Sequence, residues 1–434
     1  MSITRRCIRG KRRFANIVAI AFVAATVIDN VESSPATSAG APNPTGGTTG
    51  VANSRAPRIR SAFGPPAAAP GTLGGPLSGL TTTQANDFAN GLEEFGSVDT
   101  PESGLGPIFN DNSCAACRSV PVTGGGSTRF VTRFGHLSNG AFDPLSALRG
   151  SLLQARAIDP AVQEAIPAQA NVVAHRVTTP LFGAGLIEAI PDDVILANAA
   201  RPKADGVTGR ASTVFDVASG QTRMGRFGWK AQQATLLAFA GDAYLNEMGI
   251  ANRLFPLENA PNGNVALLAE YDAVADPEDV TDPATGKADI DRFADFMRLL
   301  APPPSLPSNE SARMGAVIFA SAGCAVCHTP SMKTGRNPIA ALNEQQVNLY
   351  SDLLLDDMGA LGDGIAQGTA GPRDLRTAPL WGMRLRTAYL HDGRATTASQ
   401  AILAHDGEVR PARDRFGNLS PPDKAHLLEF LRTL

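Results

Sequence analysis

An eleven-residue pattern occurs twice in this chain. Residues 108–118 read IFNDNSCAACR, and residues 318–328 read IFASAGCAVCH. Both hold Ile-Phe, four residues, then Cys-Ala-x-Cys, and they align without a gap at a separation of 210 residues. Such self-similarity predicts two copies of one local structure. The pairs are Cys114/Cys117 and Cys324/Cys327. They differ at the next residue, which is Arg118 in the first copy and His328 in the second. The fifth cysteine, Cys7, lies in a basic leader, so every other cysteine belongs to a pair.

Cys324-Ala-Val-Cys327-His328 has the spacing of a c-type haem attachment site. Two intervening residues let both sulfurs reach the vinyl groups along one porphyrin edge, and the adjacent imidazole then meets the iron. A zinc ribbon, a thioredoxin-like redox pair and a local disulfide compete with this reading. Zinc pairs usually recur within about 15–20 residues, whereas Cys117 and Cys324 are 207 apart. A thioredoxin-like pair follows a strand, whereas a predicted helix and a Gly-containing loop precede this one.

The leader carries Arg5, Arg6, Arg9, Lys11, Arg12 and Arg13 before an apolar run from Phe14 to Ile28. With the small residues Ala36-Thr-Ser-Ala39, this reads as an export signal over 1–39. A run of 15 residues is short for a membrane span. Removal through Ala39 leaves a net charge of −7. An acidic exported chain is a poor nucleic-acid binder and suits a basic redox partner.

Residues 40–72 are rich in Ala, Pro, Gly, Ser and Thr and read as a flexible linker. Helices are predicted over 82–95, over Lys230–Met248 with Gly249 as its stop, over Asp289–Leu300 and over Glu310–Ala320. A final helix takes Ser420 as N-cap and Pro421 at its first position. Residues 144–170 read as helical in part. Residues 212–228 read as a β-hairpin turning at Ala-Ser-Gly. The Pro-rich stretch 301–307 predicts a boundary between an N-terminal domain, 73–300, and a C-terminal domain, 308–434. The fold class expected is mainly α, with two cytochrome c-like haem domains, long irregular loops and a small β-hairpin insertion.

A haem at the second motif needs a ligand on its other face. The candidates are His391, His405, His426, Met332, Met358 and Met383. Thr396 or Thr397 is placed to cap a helix through Ala401 and Leu403, which ends at His405. His426 lies on the final helix, and Met332 follows the motif too closely to cross to the other face.

Several stretches resemble the di-haem c-type cytochromes related to bacterial cytochrome c peroxidases, and within them the di-haem peroxidase or "thiol oxidoreductase-like" branch. They are LGGPLSGL (73–80), GLGPIFNDNSCAAC (104–117), RVTTPLFGAGLIEAIPDD (176–193), RFGWKAQ (226–232), MGAVIFASAGCAVCHTP (314–330), YSDLLLDDMG (350–359) and RTAPLWGMRLRTAYLHDGRATT (376–397). The likeness spans about residues 70–434. It implies a periplasmic haem oxidoreductase that takes electrons from a small redox protein or other donor and passes them to peroxide. It implies a far-side ligand after the His-Asp-Gly turn, where this chain offers His405, and a ligand for the first haem somewhat after the first motif, where it offers His136. His391, Asp392, Trp229 and Trp381 are candidates for the surroundings of the haems.

Arg118 departs from both the resemblance and the internal repeat. Arginine keeps its charge and does not ligate iron under ordinary conditions. Three readings stay open: no haem at Cys114/Cys117; a haem held by thioethers with His136 as its one protein ligand; or a variant of an ordinary site. A mono-haem electron carrier is the alternative to the peroxidase-type enzyme.

Overall fold

The computed structural model describes residues 68–274, 278 and 281–434. The expected leader and most of the linker lie outside these residues. The described chain from 68 onward belongs to one compact unit.

The helices form where caps and spacing allow. α1 (Thr82–Phe95) begins at a capping box, with Thr81 accepting from the Gln84 amide and Gln84 reaching back. α2 (Ala184–Glu188) and α3 (Asp192–Ala199) flank the Ile-Pro break at 190–191. α4 (Leu236–Met248) starts later than predicted, because Thr235 caps it and Ala231 sits at φ 49° in the preceding loop. Gly249 ends α4 in the left-handed conformation, as expected. α5 (Val265–Tyr271) and α6 (Asp289–Leu299) follow. α7 (Glu310–Ser321), α8 (Ala398–Leu403), α9 (Arg410–Asn418) and α10 (Pro421–Thr433) complete the set.

The strands are short. The predicted hairpin is present as Thr213–Asp216 paired antiparallel with Gln221–Met224. A larger sheet was not foreseen: Phe130–Ser138 pairs with Val172–Val177, Ala141–Asp143 and Leu152–Leu153. The stretch 144–170, expected to be partly helical, contains 3₁₀ turns at Ser146–Leu148 and Pro160–Val162 and short strands instead. Gly150 and Pro160 interrupt its apolar spacing, and pairing with the long strand takes over.

α1 crosses α6 closely. A Cβ on Gly91 would stand 2.5 Å from the Arg292 carbonyl oxygen, so only glycine permits the contact. Phe88, Phe95, Phe293 and Phe296 fill the interface, with the Phe95 and Phe296 centroids 4.7 Å apart. α7 lies against α10 in the same manner, where a Cβ on Gly315 would meet the His426 carbonyl at 2.0 Å. Phe319, Phe416, Phe430 and Leu427 form a buried cluster under that pair. This cluster anchors the end of α7, from which the second C-x-x-C emerges.

Candidate functional site

After α7, Gly323 turns left-handed at φ 86° and opens a 3₁₀ turn, Cys324–Val326. The His328 amide donates to the Cys324 carbonyl at 3.0 Å, which folds the motif into one tight loop. Cys324, Cys327 and His328 line a largely apolar cavity. His405 lines the same cavity from the end of α8, whose N-cap is Thr397.

The two histidines are prepared in the same way. His328 Nδ1 is 3.0 Å from the Tyr350 carbonyl, and His405 Nδ1 is 2.7 Å from the Ala401 carbonyl. A carbonyl only accepts, so Nδ1 carries the proton and Nε2 keeps its lone pair. Burial lowers the pKa of His328 to about 4, with His405 as the next cause, and burial also lowers that of His405. Both rings are therefore neutral near pH 7 and available as donors to a metal.

The thiols favour the protonated form. Burial raises Cys324 to about 11 and raises Cys327 further. A thioredoxin-like pair needs a depressed thiolate pKa, so the redox-pair reading loses its basis. Among the described residues no three His, Cys, Asp or Glu side chains converge as a metal-holding group, and zinc has no donor set.

Of the other candidate ligands, His391, Met358 and Met383 line this cavity. His426 instead pairs with Ser311 Oγ at 2.8 Å, and Met332 belongs to the main core. His391 is 1% exposed, its Nδ1 has no partner, and Asp392 Oδ2 is 4.0 Å from its Nε2. Its ring meets Trp229 edge-on, with centroids 6.2 Å apart.

The first C-x-x-C lies on a second cavity. Cys114 precedes a 3₁₀ turn, Ala115–Cys117, which parallels the second motif and ends at Cys117. Burial raises Cys114 to about 12 and raises Cys117 as well. Arg118 donates from Nη1 to the Thr179 carbonyl, and its guanidinium lies 5.2 Å from the Phe239 ring centroid. It thus holds the position that His328 holds, tied likewise to a carbonyl. No histidine lines this cavity. Val131 and Arg133 of the long strand face it, whereas His136 does not reach it and bonds through Nδ1 to the Gln169 carbonyl at 2.8 Å. The structure therefore does not bring His136 to Cys114 and Cys117.

A third cavity adjoins the other two and shares lining residues with each. Trp381 lines it. Trp229 lines all three cavities and donates from Nε1 to the Val177 carbonyl at 2.8 Å. Arg376 and Arg386 line both the third cavity and the C-terminal one. Both arginines stand in the RTAPLWGMRLR stretch, yet nothing in their spacing marks them, because the side chains that surround them come from distant segments.

A family model described as "Di-haem oxidoreductase, putative peroxidase" matches residues 159–434. No curated protein matches the chain. Among solved structures, the chain is 15% identical to a hydrazine synthase chain of Kuenenia stuttgartiensis, with a TM-score of 0.39, covering 87% of this chain and 100% of that one. A MauG-like protein associated with microbial copper homeostasis is 17% identical, with a TM-score of 0.29, covering 58% and 89%. The diheme peroxidase BthA of Burkholderia thailandensis is 16% identical, with a TM-score of 0.30, covering 59% and 78%. No helix among the described residues is long and apolar enough to cross a membrane.

Proposed function

The chain belongs to the di-haem oxidoreductase family, and from that premise we propose that it is an exported haem oxidoreductase of the peroxidase type. Its C-terminal cavity would hold a c-type haem through Cys324 and Cys327, with His328 and His405 as the imidazoles offered to the iron. Electrons come from a small redox protein or other donor, and peroxide is the acceptor.

One observation carries this reading. His328 and His405 line one apolar cavity with both motif cysteines, and each ring is fixed by an Nδ1 bond to a main-chain carbonyl. That second bond orients a ligating imidazole and raises its basicity. The donor set therefore fits a covalently held haem.

When bound, the haem supplies one-electron exchange. The protein contributes the rest. Cys324 and Cys327 fix one edge of the group. His328 and His405 would each offer a neutral Nε2 to the iron, which suits this cavity to electron transfer. Phe319, Leu380, Ile402 and Leu431 keep water from its walls. A bis-imidazole site favours ferric iron more than an imidazole–thioether site does.

The N-terminal cavity does not fit an imidazole-ligated haem, because no histidine lines it and Arg118 occupies the ligand's place. The alternative, a mono-haem electron carrier, rests on this cavity alone, and the family match supports the oxidoreductase over it. Intact mass and the pyridine haemochrome of the exported protein, measured with peroxide consumption by the reduced protein, test both readings. Reduced protein that leaves peroxide untouched sinks the peroxidase reading. Absence of haem from Cys324/Cys327 sinks both.

A further inference from the structure

Buried cations in this protein generally have a carboxylate. Lys203 lies 2.6 Å from Asp352, Arg176 lies 2.6 Å from Asp363, and Lys230 lies 3.1 Å from Asp363. Buried Arg376 and half-buried Arg386 depart from this pattern. Arg376 ends the short strand Asp374–Arg376 and is 6% exposed. Its Nε donates to the Gly228 carbonyl at 2.8 Å and its Nη1 to the Thr377 carbonyl at 3.0 Å. Arg386 follows a 3₁₀ turn, Met383–Leu385, and its Nη2 donates to the Pro379 carbonyl at 3.0 Å. Every one of these acceptors is a neutral carbonyl. Among the described residues neither arginine forms a salt bridge, and the bonds named are to main-chain oxygens.

The two guanidinium groups also repel one another. Burial is the main cause that lowers the pKa of each, and for Arg376 the next cause is Arg386. Asp352 offsets this only in part for Arg376, and neighbouring charges of like sign that are shielded from water are costly without a closer counter-charge. The missing partner is an anion with two carboxylates, since planar guanidinium groups pair most strongly with carboxylates in a forked geometry.

The placement of the arginines narrows the choice. Both line the cavity of Cys324, Cys327, His328 and His405. Both also line the neighbouring cavity of Trp229 and Trp381, to which neither cysteine contributes. The macrocycle of a haem carries its vinyl-derived edge on one side and two propionates on the opposite side. Cysteines at one wall and two unpaired arginines at another match that polarity.

We propose that Arg376 and Arg386 receive the two propionates of the haem held at Cys324 and Cys327. The propionate edge then lies on the wall shared with the cavity of Trp229 and Trp381. This inference rests on the haem reading of the C-terminal site. It adds the orientation of the group and the residues that neutralise its acidic edge. By cancelling two negative charges near the iron, the arginines raise the reduction potential of the centre.

The test uses the full-length holoprotein and its Arg376→Gln, Arg386→Gln, Arg376→Lys and Arg386→Lys variants. The propionate bending band in the resonance Raman spectrum and the midpoint potential are read on each. The glutamine variants are expected to shift the band and lower the potential. The lysine variants keep the charge but lose the fork, so they are expected to shift the band while holding the potential closer to wild type. An unmoved band in both glutamine variants at wild-type haem content overturns the proposal. If the glutamine variants do not accumulate, an unmoved band in both lysine variants overturns it equally. Peptide mass without haem on Cys324 and Cys327 overturns the underlying haem reading instead.

Discussion

Lys203 Nζ lies 2.6 Å from Asp352 Oδ2 in the interior, and both side chains are almost fully buried. The same ammonium donates to the Val326 carbonyl at 3.0 Å, inside the second C-x-x-C. A lysine more than a hundred residues upstream thus fastens the loop that carries Cys324, Cys327 and His328. Lys203→Met removes the ammonium and leaves Asp352 buried without its counter-charge. The expected loss is about 3–5 kcal/mol of stability, read by denaturant unfolding of the holoprotein. Burial already raises the Asp352 pKa and Lys203 opposes that shift, so the variant should lose least at acidic pH.

His405→Ala removes one of the two neutral imidazoles from the C-terminal cavity. The ferric absorption and EPR spectra should change from low-spin to high-spin. The iron should also gain affinity for added imidazole. Low-spin spectra that persist in the variant would transfer the ligand role to another cavity residue, with Met358, Met383 and His391 the first to replace.

Arg118→His tests the N-terminal cavity by supplying what it lacks. The residue stands where His328 stands in the repeat, with the Thr179 carbonyl as its hydrogen-bond acceptor. The expected result is a second imidazole-ligated haem in the EPR spectrum and faster peroxide consumption than wild type. An unchanged spectrum at unchanged haem-to-protein ratio would mean that the cavity excludes the group for a reason other than Arg118.

His391 gives a pH dependence whose sign is fixed. Burial lowers its pKa to about 4 from an ordinary value of 6.5, against the pull of Asp392 and Asp363 and in company with Arg176 and Arg394. The unfolded chain takes up a proton at this residue below about pH 6.5 and the folded chain does not. Its contribution is therefore present above pH 6.5 and is lost as pH falls toward 4, by roughly 1–3 kcal/mol at most. Thermal melting of His391→Gln should depend less steeply on pH across that window. Equal slopes would assign the acid sensitivity to other groups.

Local chemistry made part of this architecture readable before the coordinates. Ser420 with Pro421 opens the last helix and Gly249 stops α4, and both of these ends lie where the sequence puts them. Cys324 to His328 is a contiguous loop, so its geometry travels with its spacing. Other features depend on pairing between distant segments. The strand Phe130–Ser138 has its main partner at Val172–Val177, and only that register decides that Val131 and Arg133 face the N-terminal cavity while His136 does not. The unpaired state of Arg376 and Arg386 is likewise invisible in sequence, because a missing counter-charge is a property of the whole neighbourhood.

Trp229 forms part of the wall of three cavities at once. Its indole is held at one edge by the Val177 carbonyl and faces His391 at another. No change at this position can be confined to one chamber. A smaller residue would merge compartments that differ in polarity and in what they contain, and would admit solvent from one to the next. Arg118 lines one chamber alone, whereas position 229 answers to all three.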